Sequence, residues 1–389
     1  MLIPISNMAR DYAWGSTTLI AELQGREPSG TPEAEIWFGD HPGSPSRVDD
    51  GTGRPLNLVL SEAGIAPLPY LLKILAAGTS LSIQAHPSRD QAAAGFAREE
   101  AAGIPRDAPH RLYRDENHKP EIIVALSETF RALVGLRPIA DTQRLLASLG
   151  EGSGVGALSA ALSPTDAEDE PAALRRVIGW ALSGEASDVV TDLAAALESS
   201  ASDEVASEFA AEIRVLRDIA GAFPGDAGLV VATLMNLVEL RRGEALFAPA
   251  GVLHAYQDGL GVELMAASDN VLRGGLTPKH VDVPELLQVV SIESGPAPIV
   301  EPLDVAPGVF GYDVGVSDFR LVRVETTFEA VAEIALDGIA IVLATRGDIV
   351  VEADGDRVEL VPGTAAVVSA ASVAIGGAGE AFVAQPGVA

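Results

Sequence analysis

The chain contains no cysteine among its 389 residues. This excludes disulfide bonds, thiolate-ligated metal sites and cysteine nucleophiles, and it is compatible with a reducing compartment. The sequence also lacks any apolar run of the roughly 20 residues that a membrane-spanning helix requires. Its first residues, MLIPISNMARDYAWGS, lack the charged segment followed by an apolar one that marks a secretory signal. We therefore expect a cytoplasmic protein that does not associate with a membrane.

Basic residues are scarce, with 26 Lys and Arg against 55 Asp and Glu and a formal net charge of −29. A surface of this charge repels nucleic acids and anionic membranes, so neither is expected as a partner. A small anionic ligand would need a local positive field. The segment VLRGGLTPKH (271–280) can supply one, because it contains Arg273 and Lys279 and no acidic residue.

Aromatic residues make up only 5% of the chain, but hydrophobic residues reach 48%, which is enough for a sizeable core. The length permits two or three domains of about 100–200 residues each. Residues 1–136 contain short apolar segments separated by Gly, Pro, Asp and Ser, a pattern typical of β sandwiches and barrels. The segments that we predict as strands there are EIWFG, SRVDDGTG, YLLKIL, LSIQAH and EIIVAL.

The region 138–222 has a different pattern, rich in Ala, Leu, Glu and Ser with apolar residues at helical spacing. Within it, EGSGVGALS (151–159) and PTDAEDEP (164–171) are predicted to be connecting loops. The segment LVVATLMNLVEL (229–240) is predicted to continue as helix before strands resume. After about residue 290 the alternation of apolar and polar residues returns, which predicts a second β region.

Three short segments, far apart in the chain, carry side chains that bind metals. Gln84 and His86 are two residues apart, so on a strand they point to the same face. Glu121 begins the apolar run IIVAL, and His254 follows a turn-like Pro-Ala-Gly. Two imidazoles, one carboxylate and one amide suit zinc or a similar borderline divalent metal. The sequence therefore predicts a metal site for chemistry on a small anionic molecule.

The same segments resemble the signature regions of type I phosphomannose isomerases, in the order that the family shows. The resemblance covers nearly the whole chain and rests on five motifs: NMARDYAWGS (7–16), AEIWFGDHPGSPS (34–46), PYLLKILAAGTSLSIQAHPS (69–88), NHKPE (117–121) and ELRRGEALFAPAGVLHAYQDGLGVELMAASDNVLRGGLTPKHVDVPELL (239–287).

The resemblance implies a mainly β protein with two cupin-type jelly-roll domains and an inserted α-helical domain. We expect the catalytic cupin domain in two segments (1–137 and 226–290), the helical domain at 138–225 and a C-terminal cupin-like domain at 291–389. All six histidines precede residue 281, so the C-terminal domain lacks a histidine metal site and is expected to be structural or to support a dimer.

The implied activity is the interconversion of mannose 6-phosphate and fructose 6-phosphate through an enediol, with one Zn²⁺ per chain. The family's metal ligands correspond to Gln84, His86, Glu121 and His254. Arg273 corresponds to its catalytic arginine, and the base is left open among Glu263, Lys119 and Lys279. The rim residues expected to bind substrate are Ser82, Lys279, Tyr256, Asp269 and Trp14. Asp269 and Asn270 are expected to orient Arg273. Among the other histidines, His118 is expected beside the metal ligands, and His41, His110 and His280 are expected to be structural or on the surface.

Three alternatives remain at this stage. A cupin oxygenase would use two histidines and one carboxylate on ferrous iron, although Gln84 and the basic rim favour the isomerase. A non-catalytic sugar-binding cupin would typically lack a ligand or the arginine. An isomerase of another aldose or aldose phosphate would share every motif. The sequence is compatible with a monomer or a homodimer.

Overall fold

The computed structural model describes residues 1–150, 152–165, 168–200 and 208–387. Its strands, in chain order, are β1 (Leu2–Ser6), β2 (Glu35–Phe38), β3 (Arg47–Val48), β4 (Tyr70–Ala77), β5 (Gln84–Ala85), β6 (Glu121–Ala125), β7 (Thr129–Leu136), β8 (Met235–Arg241), β9 (Ala245–Ala248), β10 (His254–Ala266), β11 (Leu272–Arg273), β12 (Ile299–Val300), β13 (Leu303–Ala306), β14 (Val309–Tyr312), β15 (Arg320–Thr326), β16 (Ala332–Ala335), β17 (Ala340–Ala353), β18 (Asp356–Leu360), β19 (Ala365–Val368) and β20 (Ser372–Gln385).

The helices of the described residues are α1 (Leu19–Leu23), α2 (Leu56–Glu62), α3 (Arg89–Ala101), α4 (Ile139–Ser148), α5 (Ser153–Leu162), α6 (Glu170–Leu182), α7 (Ser187–Ser199), α8 (Ala210–Ala222), α9 (Gly228–Thr233) and α10 (Val283–Val289). In those described parts, no helix is both long and apolar enough to cross a membrane. The strands form two antiparallel sheets, so the prediction of a mainly β protein is confirmed.

The first sheet is organised around β10, a strand of 13 residues that is buried along nearly its whole length. Its first half pairs with β7 and β5, and its second half pairs with β4 and β6. The register against β7 shifts between Tyr256 and Asp258, which inserts one extra residue into β10. Because side chains alternate between the two faces of a strand, this bulge brings Glu263 to the face that already carries His254 and Tyr256.

The second sheet contains the C-terminal strands β13–β20 together with two strands from the beginning of the chain. β1 pairs with β19, and β3 pairs with β1. β1, which belongs to the expected first segment (1–137), therefore lies in the C-terminal sheet, whereas β4–β7 of that segment lie in the first sheet. The sequence pattern of β1 contains no information about which sheet it joins.

The helices α4–α8 lie between β7 and β8 and share one apolar core with α9 and α10. The prediction of a loop at 151–159 is wrong for the described residues of that range, because α5 begins at Ser153 and buries Val155, Leu158 and Leu162. The predicted continuous helix 229–240 is also wrong: α9 ends at Thr233, and Met235 begins strand β8. Residues 166 and 167 of the other predicted loop (164–171) lie outside the described residues. The last two residues of that predicted loop are helical, because α6 begins at Glu170.

Buried polar contacts join the two sheets. The Tyr70 hydroxyl donates to the carbonyl oxygen of Ile339 at 2.8 Å, and the Tyr312 hydroxyl donates to that of Gly243 at 2.6 Å. Arg242 forms an ion pair of 2.6 Å with Glu380, whose side chain is fully buried. These contacts and a shared apolar core hold the site-bearing sheet against the C-terminal one.

Candidate metal centre

Three buried side chains from distant parts of the chain lie close together within the first sheet. His86 follows β5, Glu121 begins β6 and His254 begins β10. The His86 Nε2 lies 3.3 Å from Glu121 Oε1, and the His254 Nε2 lies 3.2 Å from Glu121 Oε2. The potential ligand atoms of the three residues all lie within 4.8 Å of one another. The fold therefore brings together side chains that are up to 168 positions apart in sequence.

The hydrogen bonds of the two imidazoles decide which nitrogens face the centre. His86 Nδ1 donates to the carbonyl oxygen of Asn270 at 2.8 Å, and His254 Nδ1 donates to that of Val252 at 3.0 Å. Each Nε2 is therefore the unprotonated nitrogen and faces Glu121. Burial lowers the pKa of His86 to about 4, which favours the neutral ring that metals bind.

Both Nε2 atoms and Glu121 Oε2 are buried without a hydrogen-bond partner. Three unsatisfied buried acceptors turned toward one another are costly unless something between them supplies positive charge. A divalent cation meets this need, and two imidazole nitrogens with one carboxylate oxygen suit zinc. Gln84, the fourth predicted ligand, lies in register opposite both His254 and Arg273. The residues present thus fit a zinc ion.

Lys119 contributes a charge next to this cluster, with its Nζ 2.9 Å from Glu121 Oε1. Burial alone would raise the pKa of Glu121, but the ammonium group of Lys119 holds it well below its usual range. The Glu121 carboxylate is therefore ionised and available to a metal. Lys119, one of the three candidates for the base, therefore lies beside the predicted ligand Glu121.

A second buried charge group, which the sequence analysis missed, lies on the same sheet face. Lys73 of β4 is directly opposite Glu263 of β10 in the register, and its Nζ lies 2.8 Å from Glu263 Oε2 and 3.5 Å from Glu35 Oε1. The Trp37 indole donates to Glu35 Oε2 at 2.7 Å and lies under the Lys73 ammonium. The signal was present in the sequence, because Lys73 is the single charged residue of the otherwise apolar strand YLLKILAA.

Burial favours neutral Lys73, yet the carboxylates of Glu263, Glu35 and Glu121 outweigh it and raise the pKa of Lys73. Burial also raises the pKa of Glu263, although Lys73 opposes this shift. With Lys119 included, two buried lysines face three buried carboxylates.

Replacing Lys73 with methionine is expected to lower the free energy of unfolding by about 3–5 kcal/mol, because Glu263 and Glu35 would remain buried without their cation. Urea unfolding of the metal-free protein measures this. Arg54→Met is the matched control, since it removes an exposed ion pair with Glu62 and should change stability by about 1 kcal/mol or less. Equal effects of the two substitutions would contradict the stabilising role of Lys73.

The predicted basic rim forms on a different side of the site. Arg273 lies on β11 beside Gln84, and Lys279 lies six residues later on an exposed loop. Burial lowers the pKa of Arg273, and nearby Arg114 lowers it further. Burial, Arg273 and Arg114 likewise lower the pKa of Lys279. Arg114 is thus a third cation beside Arg273 and Lys279, and the sequence analysis did not identify it.

The remaining predicted rim residues are divided between the site and its edge. Tyr256 is buried, with its ring centroid 6.1 Å from that of His254, and burial and Glu263 raise its pKa well above the usual value. Trp14 packs against the apolar cluster that contains Tyr256. Ser82 lies in a loop rather than on a strand, because β5 begins only at Gln84.

Asp269 and Asn270 do not orient Arg273, contrary to the prediction. The Asp269 carboxylate pairs with His41 at 3.4 Å, which lowers the pKa of Asp269. The Asn270 side-chain amide donates to the carbonyl oxygens of Asp115 and Asn117, and its side-chain oxygen accepts from the backbone of Arg114. Asn270 therefore fixes the loop before NHKPE.

His118 is also placed differently from the prediction, because it turns away from the metal ligands. Its Nε2 lies 2.8 Å from the Asp318 carboxylate and 3.0 Å from Arg89, so it joins the site-bearing loop to the C-terminal half of the chain. His110 and His280 are exposed, in agreement with a surface role.

Comparisons with known proteins agree with this arrangement. A profile of the type I phosphomannose isomerase catalytic domain matches residues 2–139. The chain is 36% identical to the mannose-6-phosphate isomerase of Escherichia coli K12 over 379 residues, which cover 94% of each chain. It is 31% identical to that of Bos taurus over 386 residues, covering 90% of this chain and 88% of the relative.

Solved structures of this kind share the complete fold. The crystal structure of mannose 6-phosphate isomerase from Salmonella typhimurium, bound to its substrate fructose 6-phosphate and to zinc, has a TM-score of 0.87 and 32% sequence identity, with 100% of both chains covered. A second, zinc-bound structure of mannose 6-phosphate isomerase has the same TM-score and coverage. Near-complete coverage at this identity leaves one conclusion: the chain belongs to the type I phosphomannose isomerase family.

Proposed function

We propose that this protein is a zinc-dependent aldose–ketose isomerase that interconverts mannose 6-phosphate and fructose 6-phosphate through an enediol. The observation that carries the proposal is the buried cluster of His86, Glu121 and His254, whose inward-facing acceptor atoms lack partners. Support comes from the Salmonella typhimurium relative, which is described with fructose 6-phosphate and zinc bound.

One zinc ion per chain would be held by His86, Glu121, His254 and Gln84. When bound, it would supply positive charge that polarises substrate oxygens during proton transfer. The protein contributes the orientation of these ligands, since the backbone carbonyls of Asn270 and Val252 fix the two imidazole rings. It also keeps the ligands dry, because the three charged or imidazole side chains are at most 2% exposed.

The anionic end of the substrate would bind at the basic rim. Arg273 and Lys279 provide cations that the remaining surface, with its strong negative charge, does not offer. Arg273 lies in register with Gln84, so its guanidinium is close enough to the centre to stabilise charge that develops on the substrate. Lys279 is exposed and suits the phosphate. Ser82, in the loop next to β5, is a further hydrogen-bond donor for a phosphate or a hydroxyl group.

Proton transfer between C1 and C2 requires a group that can accept and return a proton near the metal. We assign this to the Glu263 carboxylate, because burial raises its pKa and Lys73 keeps it within reach of an ammonium donor. Lys119 would stabilise Glu121 and exchange protons with substrate hydroxyl groups. Tyr256 and Trp14 would form the pocket wall, and Asp269 would lie at its rim.

The same proposal includes the finer organisation of the protein. The first sheet, interrupted by the helical region 138–225, would form a catalytic jelly roll of the cupin type, and residues 291–389 with β1 and β3 would form a second. Both are consistent with the antiparallel pairing of the two sheets. We further propose a cytoplasmic enzyme, monomeric or homodimeric, without nucleic-acid or membrane partners.

Removal of the metal tests the proposal directly. Purified protein is expected to isomerise mannose 6-phosphate in a coupled assay, to lose this activity after treatment with a chelator and to recover it when zinc is added. The physical reason is that the bound cation would supply the positive charge that polarises the substrate oxygens. Zinc-loaded protein with no turnover would contradict the assigned substrate, and full activity in metal-free protein would contradict the metal requirement.

A further inference from the structure

The segment that contains Arg273 and Lys279 is hydrogen-bonded, at its beginning, to the chain around β5, the strand that contains Gln84. The Gly274 N–H donates to the carbonyl oxygen of Ile83 at 2.8 Å, and the Ile83 N–H donates to that of Gly275 at 3.1 Å. These bonds continue the pairing of β11 with β5 and therefore fix Arg273. They end at Gly275, four residues before Lys279.

Beyond that point, a single carboxylate from outside the first sheet holds the chain. Asp226 lies in the turn between α8 and α9, where the chain leaves the helical region. Its Oδ1 accepts from the N–H groups of Gly228 at 2.7 Å and Leu276 at 3.0 Å, and its Oδ2 accepts from that of Thr277 at 3.1 Å. Three backbone donors on one ionised side chain form a strong, directional contact.

The held segment has a conformation that the backbone does not prefer. Leu276 has a φ angle of 55°, in the left-handed region that residues with a side chain rarely adopt. Its side chain is nevertheless buried in the apolar core of the helical region. Because this conformation is unfavourable by itself, its surroundings must impose it.

Two glycines allow the approach. A Cβ atom on Gly275 would lie 2.4 Å from the Gly228 Cα, and a Cβ on Gly228 would lie 2.6 Å from the Leu276 nitrogen. The turn at Asp226 and the rim segment are therefore in direct backbone contact. This contact aligns the Asp226 carboxylate with the N–H groups of Leu276 and Thr277.

The contact extends to the lysine of the rim. The Thr277 N–H is bound by Asp226, and the Thr277 hydroxyl oxygen accepts from the Lys279 N–H at 3.1 Å. Lys279 itself is exposed, so little else restrains its backbone. The position of its ammonium group therefore depends on Thr277, and through it on Asp226.

We propose that Asp226 is a positioning residue for substrate binding, which acts on Lys279 by fixing the backbone of residues 276–279. The inference rests on the proposed function only in so far as Lys279 binds the phosphate. Because β11 holds Arg273 independently, loss of Asp226 affects binding more than the chemical step.

The experiment compares Asp226→Ala with wild type in the zinc-loaded, full-length protein. We expect a KM for mannose 6-phosphate that is higher by about tenfold or more, a kcat within about threefold of wild type, and unchanged zinc content. The double variant Asp226→Ala/Lys279→Ala is expected to have the KM of Lys279→Ala alone, because both changes remove the same contact. Fully additive effects would overturn the proposed route through Lys279.

A second readout needs no substrate. Hydrogen–deuterium exchange of the Leu276 and Thr277 amides is expected to be faster in Asp226→Ala than in Asp218→Ala, a control that removes an exposed carboxylate from α8. Asp226→Asn retains the size of the side chain and one acceptor oxygen, so it provides the same test with an intermediate effect if the alanine variant fails to fold.

The two proposals fail in different ways. If wild type does not isomerise mannose 6-phosphate, the proposed function is wrong, and amide exchange still decides whether Asp226 holds the segment. If wild type is active but the Asp226 variants match Asp218→Ala in KM and in amide exchange, the role of Asp226 is wrong.

Discussion

His254→Ala is expected to lose bound zinc and isomerase activity together. The substitution leaves His86 and Glu121 in place but removes one of the two inward-facing imidazole nitrogens, which tetrahedral zinc sites require. Because a catalytic metal supplies several kcal/mol of transition-state stabilisation, turnover should fall by at least about 10³-fold, to the level of chelated wild type. Metal analysis of the purified variant and the coupled assay measure the two quantities.

The matched control is His110→Ala, which removes an exposed histidine. It should retain both zinc and activity. Full zinc occupancy in His254→Ala would remove His254 from the set of ligands. Retained zinc with lost activity would assign it a role in the reaction instead.

Arg273→Ala is expected to lose isomerase activity but to retain bound zinc, whereas His254→Ala is expected to lose both. Arg273 is paired with Gln84 in the strand register but is not a member of the cluster of His86, Glu121 and His254, so zinc content should remain near wild type. Removing one preorganised group that stabilises developing charge typically lowers kcat by about 10²–10³-fold. Steady-state kinetics with mannose 6-phosphate, together with metal analysis, test this expectation.

Arg357→Ala is the control for loss of a positive charge, since Arg357 lies on the exposed β18 hairpin of the second sheet. It should change kcat little. Arg273→Ala with more than about a tenth of wild-type activity would contradict a catalytic role, because a positioned cation contributes more than this.

Local patterns in the sequence predicted most of the regular strands. YLLKIL and EIIVAL lie in strands β4 and β6, because their continuous apolar residues suit a sheet that is buried on both faces. LSIQAH is different: only Gln84 and Ala85 form a strand. Leu81 and Ile83 donate to the carbonyl oxygens of Tyr256 and Gly275, long-range partners that periodicity cannot reveal.

The metal cluster could be predicted from the sequence because histidine, glutamate and glutamine are recognisable metal ligands. The buried charged residues around it could not be predicted in this way. Lys73 and Glu35 were missed because a single charge inside an apolar strand acquires meaning only when a partner faces it across the sheet. The bulge after Tyr256 adds to the difficulty, since strict alternation would place Glu263 on the opposite face from His254. His118 was assigned wrongly because its partner, Asp318, is 200 residues away.

The pairing of β1 with β19 has a consequence for how the chain is made. The backbone contact between Met1 and Ser369 spans 368 residues, so the ribosome completes the first partner long before the second. At about 5–20 residues per second, β1 waits roughly 20–70 s for its neighbour. Until then its edge is available to other strands, so the nascent chain is exposed to mispairing for most of its synthesis. Assembly of the second sheet is thus among the last events in the biogenesis of this enzyme.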